Sequence, residues 1–281
     1  MSRISRLASV VAVGAAALLA LSACTSGTAP DTGEDAAGVG PITEGKLTIA
    51  TGEPAYAPWV LNDDPESGEG FEAAVAYAVA EQMGYAKDDV AWVRSSFDSA
   101  IAPGPKDWDL NIQQFSATED RKNAVDFSSP YYETTQAVVA ANGTDAAKAK
   151  SLADLKSSTI GVASGTTSLT VAEEVIAPDQ QVQVFNSVDD AVTALQNGTI
   201  DALVTDLPGA FYVRDAQLEG DGVIVGQVES DEGGDEFAFV LPKGSELTPD
   251  VTAAVDALAE DGTLAELEEK WLADQGAPVL K

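Results

Sequence analysis

The sequence contains no histidine, and this absence excludes several chemistries at once. Without an imidazole the chain cannot form a Ser-His-Asp triad, a Cys-His pair or a histidine-ligated zinc site. Its single cysteine, Cys24, leaves no second thiol for a disulfide within the chain. No other residues indicate an activated nucleophile, and we expect neither a bound metal nor another cofactor.

Basic residues are also scarce, with 15 lysines and arginines against 46 aspartates and glutamates. The formal net charge is −31. Nucleic acid binding and electrostatic attachment to anionic lipid both depend on clustered Lys and Arg, so we expect neither. A hydrophobic content of 45% with 22% charged residues predicts a packed globular protein, and the acidity serves solubility rather than fold.

Long apolar runs are confined to the N-terminus. Arg3 and Arg6 precede the apolar stretch 10–21, which is too short for a stable transmembrane helix and is typical of a secretory signal. Leu-Ser-Ala-Cys then ends at Cys24 and resembles a bacterial lipobox, in which the cysteine receives a diacylglycerol. We predict a signal peptide over 1–23 and a membrane anchor of at least two acyl chains, palmitate among them. The alternative is an ordinary signal peptide with a chance cysteine.

Residues 24–45 lack a hydrophobic period and predict a flexible tether. From Lys46 onward, short β-like runs alternate with helical patterns, which indicates an α/β fold. The predicted strands are Lys46–Ala50, Val90–Val93, Leu110–Ile112, Gln136–Ala140, Thr159–Ala163, Val182–Phe185, Ile200–Thr205 and Phe237–Leu241. The predicted helices are 70–83, 166–176, 187–196, 207–216 and two after residue 247.

One open sheet can hold these units, but two lobes joined by two extended crossings explain the helices after residue 230 better. We expect the crossings at 134–140 and 236–241. The first lobe then comprises 46–135 plus 237–281, and the second comprises 136–236. The cleft of such a fold lies at the carboxyl ends of the strands.

Four loops that follow predicted strands carry candidate binding groups. Arg121, with Ser116 before it, suits a carboxylate held by two parallel hydrogen bonds. Thr166 and Thr167 form an anion-binding corner before a helix. Asp206, at a strand end, can receive an ammonium group. Taken alone, Arg121 is more often a surface ion-pair residue and Asp206 more often a helix N-cap; together they match the two charges of an α-amino acid.

The fourth loop, 51–59, combines two prolines with Tyr56 and Trp59. Prolines stiffen a loop, so it can hold a flat apolar surface open. The simpler interpretation of each aromatic is packing within the loop.

The ordered motifs resemble the family 3 solute-binding proteins of ABC transporters, in the polar amino acid group. The resemblance covers about 46–272. It depends on Gly52-Glu-Pro-Ala-Tyr-Ala-Pro-Trp59, Gly70-Phe-Glu72, Ser116-Ala-Thr-Glu-Asp-Arg121, Val125-Asp-Phe-Ser-Ser-Pro-Tyr-Tyr132, Gly165-Thr-Thr167, Asp201-Ala-Leu-Val-Thr-Asp-Leu-Pro208 and the Asp261–Trp271 segment.

The resemblance implies a two-lobed, periplasmic-binding-protein-like fold of type II, hinge closure around an amino acid, and delivery to an ABC permease. It also implies a monomer on the extracytoplasmic face of the membrane. In similar proteins the residue at Arg121 binds the α-carboxylate, with help from Ser116, Thr166 and Thr167. The residue at Asp206 binds the α-ammonium with a backbone carbonyl near Gln114, and aromatics at Tyr56 and Phe97 enclose the side chain.

This chain departs from the family at several positions. It has Gln113 and Gln114 where small residues are usual, and Ala74 where an Asp is frequent. Glu53 lies where relatives that bind cationic amino acids have an acid. Glu53 and Glu72 therefore favour a polar ligand with a cationic side chain, unless Glu72 only caps a helix and Glu53 faces solvent.

The sequence favours three other functions less. Some proteins of this fold are dehydratases of small cyclic acids, but the absence of histidine and of an evident general acid disfavours such an enzyme. A receptor or sensor domain needs a membrane span or signalling domain, and a cell-wall lyase needs a further catalytic domain after residue 272. We expect neither.

Overall fold

The structure, a computed structural model, describes residues 40–229, 234–272 and 276–281. The predicted signal peptide, Cys24 and the tether as far as residue 39 lie outside the described residues. Within the described ranges, no helix has both the length and the apolar character needed to cross a membrane.

The described residues form two five-stranded sheets. The strands, numbered along the chain, are β1 (Leu47–Thr51), β2 (Val90–Arg94), β3 (Leu110–Asn111), β4 (Val125–Thr134), β5 (Gln136–Ala141), β6 (Ile160–Ala163), β7 (Gln183–Phe185), β8 (Ala202–Asp206), β9 (Gly222–Val228) and β10 (Asp235–Pro242). The strand orders are β2-β1-β3-β10-β4 and β7-β6-β8-β5-β9. The two-lobed α/β fold is therefore confirmed.

Each sheet is mixed. In the first, β1 pairs in parallel with β2 and β3, while β10 runs antiparallel to β3 and β4. In the second, β6 pairs in parallel with β7 and β8, while β5 runs antiparallel to β8 and β9. Pro130 lies in β4, an edge strand, where a missing backbone N–H is tolerated.

Helices cover the sheets and bury their apolar faces. They are α1 (Phe71–Gln82), α2 (Phe97–Ile101), α3 (Thr167–Thr170), α4 (Val188–Gln196), α5 (Leu207–Tyr212), α6 (Thr248–Glu260) and α7 (Thr263–Trp271). The predicted helices at 166–176 and 207–216 continue beyond α3 and α5 as the π-helical segments Val171–Ile176 and Val213–Gln217.

The start of α1 requires a glycine. Gly70 has a φ of 106°, and a Cβ there would lie 2.4 Å from the carbonyl oxygen of Trp59. This close approach places the loop after β1 directly against the N-terminus of α1. Phe71, Val75 and Val79, the apolar positions predicted for this helix, are fully buried.

Both crossings lie close to the predicted positions but are displaced. The chain leaves the first sheet at Thr134 and enters the second at Gln136, so most of the predicted crossing 134–140 is a paired strand, β5. The predicted crossing 236–241 lies within β10, and the chain returns between Val228 and Asp235. A buried strand and an apolar crossing share one composition, so sequence alone did not separate them.

The C-terminal segment 276–281, which we assigned to the first lobe, packs on the second sheet. Val279 forms a bridge with Gln227, and the backbone N–H of Leu152 donates to the Lys281 carbonyl. Leu280 is 5% exposed and belongs to the second sheet's core. Its apolar side chain gains burial there that the polar, exposed positions of α7 do not offer.

Candidate functional site

A cavity of about 200 Å³ is lined by residues of both sheets and their loops. Its walls come mainly from the loops that follow β1, β3, β6 and β8, as expected for carboxyl ends of strands. Nine of the ten predicted ligand-binding residues line it: Glu53, Tyr56, Phe97, Gln114, Ser116, Arg121, Thr166, Thr167 and Asp206.

Arg121 extends from the first lobe to the second. Its Nη1 donates to the Ser116 carbonyl at 2.8 Å and its Nη2 to the Gly165 carbonyl at 2.7 Å. The guanidinium also lies over the Phe97 ring, 5.3 Å from its centroid. Burial lowers the pKa of Arg121, and Asp235 acts in the opposite direction. A guanidinium carries five N–H groups, so donors remain for a carboxylate in the cavity.

Asp206 lies across the cavity, at the end of β8, where the sequence allowed either a helix N-cap or a group that receives an ammonium. Its Oδ1 accepts from the Gly209 N–H at 2.8 Å and caps α5. Burial is the main cause that raises its pKa to about 6, and the charge of Asp235 adds to the shift. A buried carboxylate with this shift gains free energy from an adjacent cation, such as an ammonium group.

The aromatic residues form one side of the cavity. Phe97 stacks on the buried Phe115 at 4.8 Å between centroids, which fixes its ring. Tyr56 contacts Tyr212, with centroids 6.2 Å apart, and its hydroxyl donates to Asp189 Oδ2 at 2.9 Å. Burial and Asp189 raise the pKa of Tyr56, so its hydroxyl remains a donor at neutral pH.

The corner at Thr166 and Thr167 lies at the start of α3, beside the Arg121 contact. Thr166 is the N-cap of that helix, and its hydroxyl donates to the Ala163 carbonyl at 2.8 Å. Gly165 has a φ of 70°, a conformation that favours glycine, and a Cβ there would meet Asp98 at 2.5 Å. The corner therefore approaches the first lobe closely.

Glu72, the tenth predicted residue, does not line the cavity. It is the second residue of α1, and its side chain is fully buried beneath the loop after β3. Its carboxylate accepts from the backbone and side-chain N–H groups of Gln114 and from the Tyr131 hydroxyl. The side chain points inward because the loop supplies these donors.

Glu53 and Gln113 lie at another part of the cavity wall. Glu53 is exposed, at the rim. The Oε1 atom of Gln113 is inaccessible to solvent and has no hydrogen-bond partner among the described residues. Gln113 therefore offers a buried acceptor, a property that its place in the sequence did not reveal.

Several contacts that join the lobes were not predicted. Ser164 Oγ donates to Asp98 Oδ2 at 3.2 Å, and Gln136 Nε2 donates to Asp235 Oδ2 at 2.6 Å. With the Tyr56–Asp189 and Arg121–Gly165 contacts, they connect residues of the two lobes. Such pairs are distant in sequence and follow no local pattern, so only the folded structure identifies them.

Residues 47–274 match the family of bacterial extracellular solute-binding proteins, family 3. The L-arginine-binding protein of Pseudomonas aeruginosa is 32% identical over 228 residues, which cover 78% of this chain and 85% of that protein. An ancestral arginine-binding protein bound to glutamine superimposes with a TM-score of 0.69 at 33% identity, covering 83% of this chain and 100% of the other.

An ancestral amino acid-binding protein, described as a precursor of cyclohexadienyl dehydratase, has a TM-score of 0.66 and 29% identity over 81% of this chain and 95% of its own. That protein is named as an amino acid-binding protein. The curated relatives are likewise named as binding proteins of amino acids and not as enzymes. These relatives place the chain among binding proteins and not among enzymes. The chain belongs to the bacterial extracellular solute-binding proteins, family 3.

Proposed function

We propose that this protein binds an α-amino acid with a basic side chain between its two lobes and delivers it to the permease of an ABC importer. The observation that carries the proposal is the charge balance of the cavity. Of the described residues that line it, Arg121 is the cation, and Glu53 and Asp206 are the acids. An amino acid backbone neutralises one charge of each sign, which leaves Glu53 for a cationic side chain.

The roles follow from the positions. Arg121 binds the α-carboxylate with its remaining donors, beside the hydroxyls of Ser116, Thr166 and Thr167. Asp206 binds the α-ammonium together with a backbone carbonyl near Gln114. Tyr56 and Phe97 enclose the aliphatic part of the side chain, where a flat apolar surface is useful.

The far end of the side chain then meets Glu53 and Gln113. A guanidinium or ammonium group pairs there with the Glu53 carboxylate, which is exposed. Arginine supplies several donors in one plane, and several relatives are named as arginine-binding proteins. Arginine is therefore the ligand we propose first.

Binding of one ligand by both lobes favours the closed arrangement over an open one. The contacts of Arg121 with Gly165 and of Tyr56 with Asp189 stabilise that closed arrangement. We propose hinge closure, with Thr135, between β4 and β5, at one of the two crossings. Solution scattering that detects no compaction on adding arginine would count against closure.

The lipobox at Cys24 supports a lipid anchor on the extracytoplasmic face of the membrane. A thiol directly behind the signal segment is the acceptor that diacylglycerol transfer needs. In a bacterial host, radiolabelled palmitate is expected in the wild type and not in Cys24→Ser, which should leave the membrane fraction. Equal labelling of the two proteins would refute the anchor.

Replacing Glu53 with glutamine tests the choice of side chain. Glu53 is exposed, so solvent weakens its attraction for a cation, and we expect about a threefold loss of arginine affinity, near 0.7 kcal/mol. Glutamine, which has no charge on its side chain, should bind both proteins with equal affinity. Calorimetric titration measures both ligands.

Glu69→Gln is the matched control, because Glu69 is an exposed acid of the same segment between β1 and α1 and does not line the cavity. It should leave both affinities unchanged. If E53Q lowers the affinity for glutamine as much as the affinity for arginine, Glu53 does not select the ligand side chain.

A further inference from the structure

We infer that Glu72, although outside the cavity, is a positioning residue that sets ligand affinity by holding Gln114 in place at the ammonium end of the cavity. The inference deepens the proposed function and rests on it. It assigns Glu72 no contact with the ligand, and it concerns only the conformation of the loop after β3.

One carboxylate holds both the backbone and the side chain of Gln114. Glu72 Oε1 accepts from the Gln114 backbone N–H at 2.7 Å, and Oε2 accepts from the Gln114 side-chain amide. The Tyr131 hydroxyl also donates to Oε1. Charge-assisted hydrogen bonds of this kind are stronger than neutral ones, so the loop is fixed from beneath.

The backbone of Gln114 needs such a restraint. Its φ is 49°, the left-handed region that residues other than glycine rarely adopt. Unusual backbone conformations persist where the surrounding structure determines them, and they concentrate at functional sites. Gln114 lines the cavity next to Gln113 and close in sequence to Ser116, so a loop that relaxes to negative φ would change the shape of this wall.

The charge of Glu72 also acts toward the ligand. Burial is the main cause that raises the pKa of Glu72 to about 7, and the charge of Asp206 adds to this rise. The hydrogen bonds from Tyr131 and Gln114 lower the pKa. Asp206 and Glu72 are therefore close enough to interact. An ammonium group bound at Asp206 favours ionised Glu72, which strengthens the hold on Gln114 as the ligand arrives.

If this buried acid only stabilises the fold, we expect a different result. Any loss of hydrogen bonds to the carboxylate should then lower the free energy of unfolding and the ligand affinity together. Tyr131→Phe removes one donor to Glu72 without touching either bond to Gln114, which makes it the matched control.

The test compares E72Q and Y131F by calorimetric titration with arginine and by urea unfolding. A glutamine at position 72 carries no charge and only one acceptor oxygen, so it cannot accept from both the backbone N–H and the side-chain amide of Gln114, and the bonds that remain are neutral and weaker. We expect at least about tenfold weaker binding for E72Q and a change within about twofold for Y131F, whatever their order of stability. E72Q binding within twofold of the wild type, or equal losses in both variants, overturns the inference.

A readout without ligand separates this inference from the proposed function. The Gln114 amide proton, followed by NMR with no amino acid present and with Asp206→Asn in every sample to remove the titration of Asp206, should shift as Glu72 titrates near neutral pH, and E72Q should abolish that step. If the wild type binds no amino acid, the proposed function fails, but the titration still decides the positioning role. A Gln114 step that persists in E72Q overturns it.

Discussion

Arg121→Ala is expected to weaken arginine binding by at least about a thousandfold, a loss of about 4 kcal/mol. The variant removes two charge-assisted hydrogen bonds to the α-carboxylate and leaves that charge in a partly buried cavity without a partner. Calorimetric titration at pH 7.5 measures the loss. Arg121→Lys keeps the charge but not the planar fork, so it should recover only part of the affinity.

Arg121 also connects the two lobes through the Ser116 and Gly165 carbonyls. A control variant must therefore show whether removing an arginine elsewhere changes ligand affinity. Arg214→Ala serves this purpose, because Arg214 pairs with Asp215 away from the residues that line the cavity. It should bind arginine as the wild type does. Arg121→Ala binding within tenfold of the wild type would refute the carboxylate role.

Asp206→Asn is expected to weaken arginine binding by about a hundredfold, since a charged hydrogen bond to the ammonium becomes a neutral one. Asparagine is as good an N-cap as aspartate, so α5 should keep its cap on Gly209. The variant therefore changes the charge in the cavity with little change in the local structure.

The pH dependence of binding supplies a second readout for Asp206. Burial raises its pKa to about 6 in the free protein, and a bound ammonium lowers that pKa again. Binding therefore releases a proton below about pH 6, and wild-type affinity should fall as pH decreases from 7 to 5. Asp206→Asn should lose the part of the slope near pH 6, while Glu72, whose pKa lies at about 7, can still contribute near neutral pH; an unchanged slope near pH 6 would assign that titration to another group.

The free energy of unfolding should change with pH in the opposite direction to the ligand affinity. The folded-state pKa of Asp206 lies above its unfolded value of 3.8, so the native protein holds a proton that the unfolded chain releases between about pH 4 and 6. The stability that this proton adds is present at low pH and is lost as pH rises through about 6. Asp206→Asn should consequently be at least as stable as the wild type at pH 7.

The alternation of strand and helix patterns predicted most of the fold, because buried strands and capped helices have local signatures. Both β4 and β9 were missed for physical reasons. β4 contains Pro130, which an edge strand tolerates but a sequence pattern counts against. β9 alternates weakly, since it is covered in part by the segment 276–281, a contact between distant parts of the chain.

The sequence predicts which loops form the candidate site but not the directions of the side chains on them. Loops after strands meet at one edge of a sheet, and nine predicted residues accordingly line the cavity. Glu72 shows the limit: its helix was identified, but its side chain turns inward to the Gln114 N–H groups. The pairing of Gln136 with Asp235 depends on the approach of two lobes, which no local pattern records.

The most direct test of the central claim is calorimetric titration of the wild type with arginine and with two analogues that each lack one backbone group. Agmatine has no carboxylate, and the 2-hydroxy analogue of arginine has no α-ammonium. We expect one site for arginine and at least about hundredfold weaker binding of both analogues. Agmatine binding as tightly as arginine, or no binding of arginine at millimolar concentration, would contradict an amino acid held by Arg121 and Asp206.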